Sequence, residues 1–397
     1  MDDFFTSERR RRLVLRRDRE RTISNRHPWV FSGAIAADEG PEDAAIADLV
    51  SGRSGELIAS GFYSAHSQIR LRAMTFGEPF TEQLLRHRII ASIDRRDALG
   101  QRSDAYRLIH AEGDGISGLV VDKYGSSLVC EITSAGLEKL REAIIALLKE
   151  RTGATTIILK NKLPARRLEK ISMTDEILGE PVQEIDVREN GLHFCVSLTA
   201  GQKTGFFLDQ RENRNRVREL ARDASVLNLF SYSGGFGVNA AAGGASSVEE
   251  VDISETAMTL ARENHRLNGS AANVTFTVSD AFAHARELVA AGRLYDIVVC
   301  DPPAFARNRG DVDRAARGYK DINMQAMKLV RPGGLLMTFS CSGHIDSTLF
   351  QQILFAAALD SRREARMLDR LGAGIDHPVS LYCPETEYLK GMLIRVD

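Results

Sequence analysis

The stretch VLNLFSYSGGFGVNAAAGGASSVEEVD, residues 226–252, decides the fold. VLNLF reads as a strand, SYSGG as a turn, the small residues that follow as a helix, and SVEEVD as a second strand ending on Asp252. This is the entry unit of a nucleotide-binding α/β domain, where glycine lets the backbone approach a ligand and the terminal acid can hold a ribose hydroxyl. Gly235, Gly237 and Ala240 also fit the dinucleotide-binding form, so the unit alone does not identify its ligand.

Downstream, strands and helices alternate to the end of the chain. VTFTVSD, YDIVVCD and GLLMTFS read as further strands, with helices expected at 255–267, 281–291, 317–330 and 346–359, and EYLKGMLIRVD as a last strand. Such alternation predicts a doubly wound, mostly parallel sheet, placed here over residues 186–397. Ser254 is an expected helix N-cap, and Pro332 with Gly333 and Gly334 is expected to end a helix. Upstream, residues 181–198 read as a hairpin. The loop after it carries Lys203, Thr204, Phe206, Phe207 and Asp209, well placed to cover a ligand, and an Arg-rich helix follows from Gln210.

Residues 76–185 read as an α+β domain containing two amphipathic helices, and residues 1–75 as a small all-β unit. In QIRLRAM, a period of two puts Ile69, Leu71 and Ala73 on one face and Arg70 and Arg72 on the other, so basic charge is expected to continue onto this sheet. Trp29 is expected in the core of the unit, and His110 in a structural role.

At 397 residues, with 43% hydrophobic and 27% charged residues, the chain is long enough for more than one core. The net charge of -2 conceals a local excess: Arg9, Arg10, Arg11, Arg12, Arg16, Arg17, Arg19, Arg21 and Arg26 crowd the N-terminus. That pattern suggests a polyanionic partner such as RNA. The five cysteines show no paired spacing, which excludes a disulfide framework and a CxxC metal site and points to a cytoplasmic protein with no metal. No stretch reads as a membrane span or a signal peptide.

The expected strand ends choose among ligands, because open α/β sheets bind there. They carry Gly234 to Gly237, Asp252, Asp280, Asp301-Pro302-Pro303 and Ser340-Cys341-Ser342. This order resembles the class I S-adenosylmethionine-dependent methyltransferases, with a Rossmann-like domain. SYSGGF, GQKTGFFLDQRENR, VVCDPPAF, RGYKDINMQAM, LMTFSCSG and YLKG together resemble the large-subunit ribosomal RNA cytosine-C5 methyltransferases that carry an N-terminal PUA-like RNA-binding domain.

The resemblance implies S-adenosylmethionine as cofactor, ribosomal RNA as partner, a PUA-like small β-barrel over residues 1–75, and a monomer or homodimer. It further implies that Asp252 holds the ribose hydroxyls and Asp280 the adenine amine, with Ser231, Gly234, Gly235, Phe236, Ile253, Ala281, Asp301 and Asp209 completing the cofactor site. Pro302, Phe305, Lys203, Tyr319, Lys320, Arg70 and Arg72 would contact the substrate. Cytosine C5 is too weak a nucleophile to take a methyl group unaided, so a thiolate must first add at C6. The expected catalytic pair is Cys341 as nucleophile and Asp301 as the group that binds the base. Cys300 would face away from Asp301, and Cys130, Cys195 and Cys383 read as structural, with no acid or base nearby. Strand four departs from the wider group of RNA cytosine-C5 enzymes, carrying Pro302-Pro303 where Pro-Cys is usual. Asp-Pro-Pro also suits methylation of an exocyclic amine such as guanine N2, which needs no cysteine. A nicotinamide-dependent dehydrogenase and a non-catalytic RNA-binding protein are the remaining alternatives.

Overall fold

The computed structural model describes residues 2–23, 25–198, 205–270, 272–306 and 308–397, apart from the side chains of Asp2, Asp3, Arg21, Thr22 and Arg309. Lys203 and Thr204 lie outside the described residues. The chain forms two compact units, the first from residues 1–185, 197–206 and 376–386, the second from 186–196, 207–375 and 387–397.

The first unit holds two sheets. A six-stranded sheet runs in the order Trp29–Phe31, Ile69–Phe76, Leu57–Tyr63, Ile46–Val50, Arg11–Leu15, Ile35–Glu39, and a five-stranded sheet covers strands between Ala105 and Leu178. Leu13, Leu15, Val30, Leu49 and Leu71 fill the interior of the first sheet. Ile46, Phe62 and Met74 instead join Leu85, Ile89, Val121 and Leu128, so the β unit and the α+β part share a core. Trp29 is half-buried, its indole donating to Glu112 Oε1 at 2.8 Å.

The expected basic face is corrected at Arg72. Its guanidinium is buried, with nitrogens 3.4 Å from Glu112 and 3.4 Å from Glu169. The far side of the strand is covered rather than solvated, so the alternating arginines build an internal ion-pair network. Arg70 is half-buried and donates to the Ser64 carbonyl at 2.9 Å. Of the N-terminal run, Arg10 pairs with Asp48 at 2.8 Å and Arg11 with Asp38, while Arg12, Arg16, Arg17 and Arg19 remain exposed.

Cys383 also departs from expectation. Its thiol donates to Glu385 Oε2 at 3.4 Å, and His27 Nε2 lies 3.1 Å from the same oxygen. His27 Nδ1 accepts from the Trp29 N–H at 3.1 Å, so the proton sits on Nε2 and the three side chains close a hydrogen-bonded cluster. Burial and the charges of Glu112 and Glu385 push the Cys383 thiol up. His110 is buried, as its structural reading requires, with Arg107 Nη1 3.0 Å from its Nδ1. Burial, then the nearby Arg107 charge, lower its pKa to about 2, so the ring is neutral.

The second unit is a seven-stranded sheet with helices on both faces. Its strands are β1 (Ser225–Leu229), β2 (Ser247–Asp252), β3 (Asn273–Val278), β4 (Tyr295–Cys300), β5 (Val330–Ser340), β6 (Ala365–Leu371) and β7 (Lys390–Val396). They are ordered β3-β2-β1-β4-β5-β7-β6. The first five are parallel, and β7 runs antiparallel between β5 and β6. The helices are α1 (Arg211–Leu220), α2 (Gly235–Ala242), α3 (Glu255–Leu267), α4 (Ala281–Ala290), α5 (Val312–Leu329) and α6 (Ser347–Ser361).

Local chemistry explains the boundaries. Ser254, Asp280 and Asp346 cap α3, α4 and α6, each side chain accepting a first-turn backbone N–H. α5 begins five residues earlier than the expected Arg317, because Ala315, Tyr319, Ile322, Ala326 and Leu329 extend one apolar stripe. Pro332 lies inside β5 rather than in a linker, at its exposed start. β6 was not anticipated. All seven of its residues are exposed or half-buried, so ARMLDRL carries no alternation to betray a strand. Leu227, Val298, Ile322 and Leu336 lie in one core of the sheet, and Val226, Phe236, Val299 and Phe339 in another.

Candidate functional site

The site is built where β1 stops. Phe230 and Tyr232 hold left-handed backbone angles, φ 61° and 48°, and Gly234 follows at 75°. Non-glycine residues in that region are costly, of order 1–3 kcal/mol, and cluster where a loop must present its backbone to a ligand. The bend is held from outside: the Ser231 N–H donates to the Val251 carbonyl at 3.0 Å, and the Tyr232 N–H donates to Asp252 Oδ2 at 2.8 Å. Asp252 Oδ1 accepts from the Ser254 N–H at 2.9 Å. Each carboxylate oxygen keeps a second lone pair, so the acid can orient the loop and still accept a hydroxyl. Ile253, directly after it, is 71% exposed, an apolar surface suited to a flat heterocycle.

Behind the turn, α2 lies unusually close to β2. A Cβ on Gly237 would stand 1.8 Å from Glu250 Oε1, which fixes glycine there. Glu250 is fully buried, accepting from Asn228 at 2.7 Å and lying 2.9 Å from His265 Nε2. Phe236 turns into the interior against Phe339, ring centroids 5.7 Å apart, so its side chain is a core residue and not an adenine contact. Ser231 Oγ is likewise turned inward, 3.6 Å from Met258 Sδ. Gly234, Gly235 and Ala281 are buried beside these elements, and Asp280 is exposed at the end of β3.

At β4, Cys300 is fully buried, and burial together with the Asp301 charge pushes its thiol up. Asp301, the next residue, is half-buried and accepts from Gln210 Nε2 at 2.9 Å. Gln210 is in turn held by Asn213, whose Nδ2 donates to its Oε1 at 2.6 Å. Sequence reasoning missed Gln210: GFFLDQREN marks a loop and a helix start, but nothing in it announces a partner for an acid 91 residues away. Asp209 is buried, and its carboxylate accepts from the Tyr388 hydroxyl at 2.5 Å, so it braces the loop. Phe207 packs edge-on against Tyr232 with centroids 5.3 Å apart, bringing the loop to the glycine turn.

Cys341 is half-buried just beyond β5, its thiol 4.0 Å from the Pro302 carbonyl oxygen. The two strand ends therefore bring a cysteine to the Asp-Pro-Pro turn. Three expected substrate contacts are placed otherwise. Tyr319 is fully buried, its hydroxyl 3.0 Å from Ser342 Oγ and within reach of the Pro303 carbonyl at 3.4 Å. Its ring packs at a tilt against Phe305, centroids 4.6 Å apart, so both serve as a wall under the turn. Lys320, one residue on along the helix, is carried round to pair with Asp360 at 2.5 Å. Pro302 is buried.

The chain matches the S-adenosylmethionine-dependent methyltransferase family over residues 127–372 and a PUA-like domain over residues 13–76. It is 39% identical over 393 residues to a ribosomal RNA large subunit methyltransferase I from Shewanella amazonensis, covering 97% of this chain and 99% of that one. It is 41% identical over 391 residues to the protein of that name from Aeromonas salmonicida, covering 96% and 98%. Among solved structures, a methyltransferase complexed with S-adenosylhomocysteine superposes with TM-score 0.83 at 22% identity, over 97% of this chain and 99% of that one. The strained turn, the strand-two acid with its exposed isoleucine and the acids on β3 and β4 fit the cofactor this family uses. The chain belongs to the S-adenosylmethionine-dependent methyltransferase family and carries an N-terminal PUA-like domain.

Proposed function

We propose that the protein methylates C5 of a cytosine in large-subunit ribosomal RNA, through a covalent bond between Cys341 and C6 of the base, and that it does so in the cytoplasm. The observation that carries this reading is the approach of the Cys341 thiol to the Pro302 carbonyl, directly beside Asp301. An enzyme acting on an exocyclic amine has no use for a cysteine there. The names borne by its relatives support ribosomal RNA as the substrate.

When bound, S-adenosylmethionine supplies an electrophilic methyl group on a sulfonium. Asp252 and Ile253 would hold its ribose and adenine, with Asp280 placed for the adenine amine and the turn from Phe230 to Gly235 facing the rest. Asp301, oriented by Gln210, accepts from the N4 amine or the protonated N3 of the base, and a proton held at N3 neutralises the negative charge that develops as sulfur adds at C6. That addition leaves an enamine whose nucleophilic carbon is C5. Once C5 carries the methyl group, loss of the proton on that carbon and expulsion of the Cys341 thiolate would restore the aromatic ring and release the product. Cys300 cannot compete, being sealed in the core with its thiol protonated. The test is nucleoside analysis: unmodified ribosomal RNA incubated with labelled cofactor should yield 5-methylcytidine, and N2-methylguanosine would refute the reading.

A further inference from the structure

The final strand carries a buried cation that the reaction above does not use. Lys390 opens β7 and stands opposite Ser340, the last residue of β5, in antiparallel register. It is only 4% exposed, and its ammonium donates to the Ser342 carbonyl and the Tyr388 carbonyl, each at 2.7 Å. Two of its three N–H groups are thereby used on the segments flanking the site, and the Ser342 carbonyl belongs to the residue after Cys341. Among the described residues no carboxylate lies within 4.0 Å of it, whereas the buried arginines Arg72, Arg96, Arg166, Arg211 and Arg214 each have one. A buried charge without a counter-charge is costly, so its presence calls for an anion that forms in the site.

From this placement we infer that Lys390 is a positioning residue whose ammonium is the counter-ion of the Cys341 thiolate. The inference rests on the reading of Cys341 as nucleophile and deepens it. A free thiol has a pKa of about 8.5 and is only a few per cent thiolate at neutral pH, which a nearby cation corrects. Burial lowers the lysine to about 8, and of the negative groups that raise it back Cys341 comes first, ahead of Glu387 and Asp346. The attraction is mutual: whatever the thiolate does for the ammonium, the ammonium does for the thiolate. The other titratable groups acting at this point are Tyr319 from α5, which burial and the Cys341 charge push up to about 12, and the carboxylates of Glu387 and Asp346, which act on the lysine. The two carboxylates oppose the thiolate and the phenol stays neutral, whereas Lys390 favours it.

The experiment is the pH dependence of Cys341 alkylation by iodoacetamide in the full-length protein without RNA, read by mass spectrometry of the peptide containing Cys341. The wild type should show a midpoint below the ordinary thiol range. Lys390→Met should raise that midpoint by at least one pH unit, a fall of about tenfold in alkylation rate near neutrality, and Lys390→Arg should restore most of it. A purely structural lysine would lower the melting temperature and leave the midpoint unmoved, which overturns the inference. If Lys390→Met fails to fold, the wild-type midpoint decides alone, since a value at or above about 8.5 contradicts the inference. Failure of the nucleophile reading is seen separately, as full methyl transfer by Cys341→Ala.

Discussion

Gly237→Ala gives a test in which the usual sign of a substitution reverses. In the interior of a helix, replacing glycine by alanine ordinarily stabilises by about 0.4–1 kcal/mol, because the unfolded chain loses freedom. At Gly237 the new methyl would lie 1.8 Å from Glu250 Oε1, 2.6 Å from its Cδ and 2.9 Å from Val248 Cγ1. Either α2 shifts outward, an overpacking cost of ~1–3 kcal/mol, or Glu250 moves and gives up its partners Asn228 and His265, each bond to a charged group being worth ~1.5–3 kcal/mol. The cheaper route, offset by the alanine gain, leaves a net loss of about 1–2 kcal/mol, and the dearer one about 3–5 kcal/mol. At about 2–4 °C per kcal/mol for a unit of this size, the melting temperature should fall by roughly 2–8 °C on the cheaper route and roughly 6–20 °C on the dearer one. The assay is thermal unfolding by circular dichroism with and without S-adenosylmethionine, and cofactor affinity should weaken because α2 supports the turn. In a Glu250→Ala background the same alanine should cost clearly less, since the carboxyl group is gone and only the 2.9 Å approach of Val248 Cγ1 remains. An unchanged or higher melting temperature for Gly237→Ala in the wild-type background refutes the packing described here.

Three other outcomes follow from single contacts. Gln210→Ala should lower kcat by roughly tenfold to a hundredfold while sparing cofactor affinity, because it removes the donor that orients Asp301; equal kcat in single-turnover assays would contradict that role. Arg72→Met should leave Glu112 and Glu169 without their buried cation and cost ~3–5 kcal/mol in chemical denaturation, and a loss of RNA affinity at unchanged stability would restore the surface reading. His110 titrates at about 2 in the folded protein against about 6.5 unfolded, so below about 6.5 the unfolded chain takes up the proton first. Its contribution is complete above that pH and declines by about 1.4 kcal/mol per unit toward acid; urea unfolding between pH 7 and 5 should show this slope, and His110→Asn should flatten it.

The main lines of the second unit were legible because its buried strands are continuous apolar runs, each followed by a residue with chemistry to offer. Asp252, Asp301 and Cys341 could be singled out because a position at a strand end is a one-dimensional property of the chain. What escaped was set by the third dimension. The strand Ala365–Leu371 is wet on both faces and lacks any period, and Arg72 sits in a perfect alternation whose polar face happens to be covered by Glu112 and Glu169. Cys383 has its acid two residues away and its histidine at the other end of the chain. Gln210 and Lys390 acquire meaning only from what the fold lays against them, an acid in one case and a cysteine in the other. Tyr319 and Lys320 looked like one RNA-facing motif, yet the helix turns them to different neighbours.

The central claim is the covalent role of Cys341, and product identity in paired reactions tests it most directly. Wild type and Cys341→Ala, each with unmodified ribosomal RNA and labelled S-adenosylmethionine, should be compared by nucleoside mass spectrometry. The account predicts 5-methylcytidine from the wild type and none from the variant, with cofactor binding retained by both. A fully active Cys341→Ala, or a labelled nucleoside other than 5-methylcytidine, would contradict it.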